Sequence, residues 1–229
     1  MNSMTIPVGR DVLAASRQAA AELRLKFTRQ RTLVVNLLSS PGSGKTSLLE
    51  ATARHWAGKR RMGVLVGDIA TDRDAQRLAP LAPVVQLTTG GACHLELPLV
   101  EKGLAELGAE DLEFLFIENI GNLVCPASHD LGEHLRVLVL SVTEGDDKPG
   151  KYPKAFRTSQ ALIISKTDLL PHVPFSIESA VADARLIQPD LAVLPVCATR
   201  GAGIVEWCNF LETERGKLLE VSHESISAC

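Results

Sequence analysis

The run Ser39-Ser40-Pro41-Gly42-Ser43-Gly44-Lys45-Thr46 constrains this chain more than any other stretch. An apolar segment, residues 33–38, leads into it, and Leu48, Leu49, Thr52 and Trp56 then recur at helical spacing. Strand, loop of small residues, Gly-Lys-Thr and helix together make a phosphate-binding loop. Small residues let successive backbone N–H groups curl around an anion, and the helix start adds its positive dipole end. Lys45 reaches the β- and γ-phosphates and the Thr46 hydroxyl binds Mg²⁺, while Pro41, Gly42, Ser43, Gly44 and Ser47 complete the nucleotide cradle. The usual pattern opens with Gly. Ser39 stands there instead, and because Ser tolerates positive φ less well, a slightly altered start of the loop is expected.

Composition bears on what surrounds this loop. A chain of 229 residues, 45% hydrophobic, can bury a sizeable core as one α/β domain. A net charge of −3 gives no basic footprint for nucleic acid. No apolar run approaches a membrane span, and residues 1–10 lack the apolar centre of a secretion signal. Five cysteines (93, 125, 197, 208 and 229) make no paired framework and read as reduced thiols of a cytoplasmic protein, open to metal binding. The expected fold is an α/β P-loop NTPase: a mostly parallel central sheet, helices on both faces, and an added N-terminal helix.

Along the chain, residues 1–10 read as loose and residues 11–31 as a helix with Val12, Ala15, Ala19, Leu23 and Phe27 on one face. Its basic second half reads as a solvated face. No Cys or His precedes His55, so this arm offers no metal site. Buried strands are expected at 33–38, 62–67, 84–87, 112–117, 136–142, 161–164 and 191–196, and later helices at 176–188 and 204–211. The expected division is an N-terminal arm at 1–30, a nucleotide-binding domain carrying the metal site at 31–215, and a tail at 216–229, frayed from Ser222.

Carboxylates follow the strands where ligands bind in open α/β sheets. Asp68 ends the second strand and Asp72 lies four residues on. Both can approach Mg²⁺ or the attacking water; helix capping by Asp72 or Asp74 is the competing reading. Glu118 closes the strand at 112–117, with Gly121 three residues later, matching the second acidic motif of nucleotide hydrolases. Lys45, Asp68, Asp72 and Glu118 are thus the candidate catalytic residues, and Thr46, Asp68 and Glu118 the Mg²⁺ set. In Ser165-Lys166-Thr167-Asp168, the Asp168 carboxylate can accept two hydrogen bonds from guanine N1 and N2, a pair adenine does not present. The Lys166 stem packs over the base, and Cys197-Ala198 backs it. Ser165 replaces the usual Asn and is expected to weaken one brace.

Cys93-His94 follows Gly90-Gly91 at an expected helix start, a location that lowers a thiol pKa. Cys125 lies seven residues past Glu118, on the loop that would sense the nucleotide. Two thiolates and an imidazole suit Zn²⁺ or Ni²⁺ but fall short of a closed four-ligand site, which two subunits could complete across a twofold axis. Buried cysteines with no metal are the alternative. The polar loop at 143–153 is either solvated or a contact for a second subunit.

Together these motifs resemble the HypB family, the nickel-insertion GTPases of NiFe-hydrogenase maturation. Residues 118–126 (ENIGNLVCP), residues 141–149 (SVTEGDDKP) and Gly91-Ala92-Cys93-His94 carry the resemblance, which spans residues 31–211. It implies a homodimeric GTPase with its nucleotide sites near the twofold axis, and Ni²⁺ or Zn²⁺ held by Cys93, His94 and Cys125 of both subunits. The implied partners are HypA, a small zinc-containing nickel chaperone, and the hydrogenase large-subunit precursor. The sister family of urease maturation has Cys-Pro-His in its metal loop, whereas Ala127 follows Cys125-Pro126 here, which favours the hydrogenase branch. The expected function is a GTP-hydrolysing metallochaperone whose nickel hand-over is gated by nucleotide state. Its rivals are a urease-type nickel GTPase, a metal carrier with a vestigial nucleotide site, and a small-molecule kinase on the same loop.

Overall fold

The apolar runs become one parallel sheet that delivers every chemistry-bearing loop to the same edge. The structure, a computed structural model, describes residues 8–227. Its strands are β1 Leu33–Ser39, β2 Met62–Asp68, β3 Val84–Thr88, β4 Phe114–Glu118, β5 Leu135–Ser141, β6 Ala161–Ser165 and β7 Ala192–Val196, in the order β3-β2-β4-β1-β5-β6-β7. All pairings are parallel; the inner strands are covered on both faces and read as largely apolar runs, while the edge strands β3 and β7 are only partly buried. The phosphate-binding loop leaves the C-terminal end of β1, between β4 and β5.

Alternate residues of β1 face opposite sides of the sheet and join three core clusters. Leu33, Val35 and Leu37 pack with α2 (Lys45–Trp56), α3 (Arg73–Leu78) and α8 (Ile204–Ser227). Trp56 stacks on Phe114 in this layer, and the buried Trp207 indole donates to Thr52 Oγ1 at 3.0 Å. On the other face, Val34 packs with α1 (Val8–Gln30) and α4 (Leu97–Leu107). Leu38 joins α6 (Pro153–Arg157) and α7 (Ile177–Ile187). The short α5 (Lys148–Lys151) lies inside the loop after β5.

Several expectations shift. Helix α1 begins at Val8, within the stretch expected to be loose; residues 1–7 and Cys229, with the Val12 side chain, lie outside what is described. Its buried stripe is Ala20, Leu23 and Phe27, whereas Ala15 is exposed. Its basic face is not simply solvated, because Arg24 pairs with Asp130. Helix α8 does not stop at Leu211: Leu218 packs on the core, and Arg215 donates to Arg31 O at 3.2 Å and pairs with Glu113 at 3.4 Å. These contacts hold the polar stretch after Leu211 in helix, and α8 continues through the expected tail to Ser227, past Ser222 where fraying was expected. Among the described residues, no helix is long and apolar enough to cross a membrane.

His134, just before β5, ties α1 to β1. Its Nδ1 accepts Val34 N–H at 3.0 Å, so the ring proton sits on Nε2, facing Thr28 Oγ1 at 3.0 Å; Thr28 in turn donates to Arg24 O at 3.0 Å. Burial, with the Arg24 guanidinium adding to it, pushes the His134 pKa down to about 4. The unfolded chain takes up this proton near pH 6.5, the fold only near 4. The contribution is therefore complete above pH 6.5 and lost as the pH falls through 4, about 3 kcal/mol in all. Urea melts of His134→Asn, which keeps an acceptor for Val34, should lack this slope; an unchanged slope would contradict the assignment.

Candidate functional site

The phosphate loop folds as its glycines require. Positive φ falls at Gly42 (73°) and Gly44 (98°), the latter capping α2. Ser39 is still strand, so the expected disturbance at the start of the loop does not occur. Its hydroxyl instead accepts Lys45 Nζ at 2.9 Å. Burial lowers the Lys45 pKa against the pull of Glu118, Asp74, Glu144 and Asp68.

Four acids surround this lysine. Glu118, at the end of β4, accepts the Thr46 hydroxyl at 2.7 Å. Burial pushes its carboxyl up to about 7, against Lys45 and Thr46, and its Oε2 is buried with no hydrogen-bond partner. Asp68 is partly buried, which raises its pKa, but the N–H groups of Ala70 and Thr71, each 2.8 Å from Oδ1, hold it below the usual carboxylate range. Asp74 lines the same cavity of about 250 Å³, with Lys45, Asp68, Glu118 and Gly121. Asp72 is not among its lining: it starts α3, and its Oδ2 takes Gln76 Nε2 at 2.8 Å. Glu144, from the loop after β5, accepts the Ser43 hydroxyl at 2.6 Å. Gly121 lies so close to the phosphate loop that a Cβ there would sit 2.8 Å from Pro41 Cα.

A cavity of about 180 Å³ beside Gly44 and Ser47 is lined by Ser165, Lys166, Asp168, Cys197 and Ala198. Lys166 adopts a left-handed φ of 59°, and its ammonium donates to Gly42 O at 2.7 Å. Ser165 does not weaken the brace as expected, since its hydroxyl reaches Ser43 O at 2.6 Å. The Cys197 N–H is engaged by Ala202 O at 2.9 Å; what this residue turns toward Asp168 Oδ1 is its thiol, at 3.1 Å. Arg200 faces the other carboxylate oxygen at 3.8 Å.

Cys93, His94 and Cys125 come together, with one donor atom from each within 4.8 Å of the others. Their setting differs from the expected helix start: α4 begins only at Leu97. The Cys93 thiol is raised, not lowered, because the Cys125 thiol beside it opposes its ionisation. His94 Nδ1 lies 3.8 Å from Cys93 Sγ, while Nε2 faces the exposed Glu96 carboxylate at 3.7 Å, beyond hydrogen-bond distance. Burial and then His129 lower the His94 pKa, favouring the neutral ring that binds metals. His129 was not anticipated: its ring stacks on His94 at 3.9 Å, and its Nδ1 lies 2.9 Å from Cys125 O. Its spacing of four residues from Cys125 was the available signal.

The CobW/HypB/UreG nucleotide-binding domain family matches residues 33–195. The hydrogenase maturation factor HypB of Azotobacter vinelandii is 45% identical over 227 residues, covering 98% of this chain and 74% of that protein. The chain belongs to the HypB family. A crystal structure of HypB from Helicobacter pylori in complex with nickel superposes with a TM-score of 0.84 at 37% identity, covering 89% of this chain and 96% of that one. HypB from Archaeoglobus fulgidus gives 0.81 at 35% identity, covering 90% and 99%. The P-loop fold and the HypB membership read from residues 118–126 and 141–149 both stand. As a member of a P-loop NTPase family, the chain is built around a nucleotide site.

Proposed function

We propose that this HypB-family protein is a cytoplasmic GTPase that carries nickel for NiFe-hydrogenase maturation and releases it according to nucleotide state. One observation carries the reading: the end of β4 and the loop that follows it bear Glu118 at the phosphate loop and Cys125 at the thiol cluster. Thr46 and Glu118, with its unpartnered Oε2, fit Mg²⁺, and Asp68 stands beside them. Bound there, Mg²⁺ would neutralise charge developing on the transferred phosphoryl group. Lys45 turns from Ser39 to the β- and γ-phosphates, and Asp68, held ionised by its backbone donors, orients the attacking water. Asp74 is a second candidate for that role, whereas Asp72 is engaged with Gln76. Asp168 selects guanine, the Lys166 stem covers the base, and Ala198 backs it.

Nickel is the cargo, held by Cys93, His94 Nδ1 and Cys125; Zn²⁺ suits the same donors. Three donors leave room for ligands from a second copy in a homodimer. HypA and the hydrogenase large-subunit precursor are the partners on either side of the hand-over. Phosphate release tests the enzyme assignment: GTP is turned over with Mg²⁺ and ATP is not. No turnover of GTP, or equal turnover of ATP, would overturn it.

A further inference from the structure

The loop after β4 grips the Cys93–Leu95 stretch through bonds that involve no metal. Asn122 Nδ2 donates to Cys93 O at 3.2 Å, and its Oδ1 accepts Val124 N–H at 2.8 Å, one residue before Cys125. Asn119, next to Glu118, accepts Leu95 N–H through Oδ1 at 3.4 Å, while its Nδ2 is anchored to Asn36 Oδ1 on β1 at 3.3 Å. Each amide thus faces two ways. Asn122 shapes its own loop with the oxygen and reaches the other half of the donor set with the nitrogen. Asn119 sits between a β1 side chain and the residue after His94.

We infer that Asn122 is the positioning residue that links nucleotide state to the Cys93-His94 half of the metal site, with Asn119 as a second strut. A loop carrying only Cys125 would move one donor of three. Tied through the Asn122 amide to the Cys93 carbonyl, it moves or releases the Cys93 backbone as well. Two discrete arrangements of one packed loop can then bias the whole donor set. The inference rests on the nucleotide-gated reading of the metal site and names the side chain through which the gate acts.

Asn122→Asp separates the two duties. It keeps the oxygen that accepts Val124 N–H and has no N–H to give Cys93 O. Asn122→Ala, which lacks the donor and adds no charge, controls for the added carboxylate and should give the same result, and the ratio of affinities between nucleotide states is the readout. Nickel dissociation constants are measured with GDP and with a non-hydrolysable GTP analogue. The wild type should show at least a fivefold ratio, and Asn122→Asp a ratio near one. The rate of Cys93 alkylation by iodoacetamide, measured without metal, should differ between the two nucleotides in the wild type and not in the variant. A variant that keeps the wild-type ratio and alkylation difference overturns the inference and leaves the gated reading standing. A wild-type ratio of one overturns both.

Discussion

Replacing Asp168 by Asn should turn the proposed base pocket from guanine to xanthine recognition. The carboxylate offers two acceptors, matched to the N1 and N2 donors of guanine. An Asn side chain offers one acceptor and one donor. Guanine then brings its amino group against an amide N–H, whereas xanthine brings a carbonyl oxygen that the amide can satisfy. A hydrogen bond to a charged group contributes about 1.5–3 kcal/mol, so losing the N2 bond, with the N1 bond now made to a neutral oxygen, weakens GTP by roughly one to three orders of magnitude. The Cys197 thiol donates to Oδ1 at 3.1 Å, and an Asn oxygen can accept it equally. Displacement of a fluorescent GDP by GTP, XTP and ATP measures the effect. A variant still preferring GTP would remove Asp168 from base recognition.

Why the sheet was readable and the helix ends were not follows from burial. A strand covered on both faces has no polar alternation, so β1, β2 and β6 stand out as apolar runs, each followed by a loop residue of recognisable chemistry. The parallel arrangement then places Lys45, Asp68, Glu118 and Asp168 at one edge with no further information needed. Helix α8 is different. Past Leu211 its sequence is polar and contains Gly216, and what continues it is Arg215 meeting Arg31 O and Glu113, contacts set by partners far along the chain. The delayed start of α4 has the same character. The Cys93–Glu96 stretch is held by the β4 loop, through Asn122 at Cys93 O and Asn119 at Leu95 N–H, so no helix forms over the ligands.

Within the site, residues belonging to short local motifs were legible and those defined by distant partners were not. Lys45-Thr46 and Cys93-His94 announce themselves by spacing. Glu144 matters because it meets Ser43 across the nucleotide face, and Asp74 because α3 turns it toward Lys45. Neither fact has a sequence signature. Asp72, whose position after β2 resembles that of a catalytic acid, meets Gln76 Nε2 through Oδ2 at the start of α3.

A second large effect concerns the metal. Glu118 accepts Thr46 at 2.7 Å, Gly121 abuts Pro41, and Cys125 completes the donor cluster, so the end of β4 and its short following loop contact the phosphate cradle at two points and the candidate metal donors at a third. In the proposed mechanism, a γ-phosphate that orders this loop would set the position of Cys125 relative to Cys93 and His94. Coupling between two such sites typically amounts to 1–3 kcal/mol, about 5–150-fold in affinity. Nickel titration of one preparation, with Mg²⁺ and either GDP or a non-hydrolysable GTP analogue, measures it directly. Tighter nickel binding with the GTP analogue, by at least fivefold, is the predicted result; equal affinities in the two nucleotide states would contradict the account.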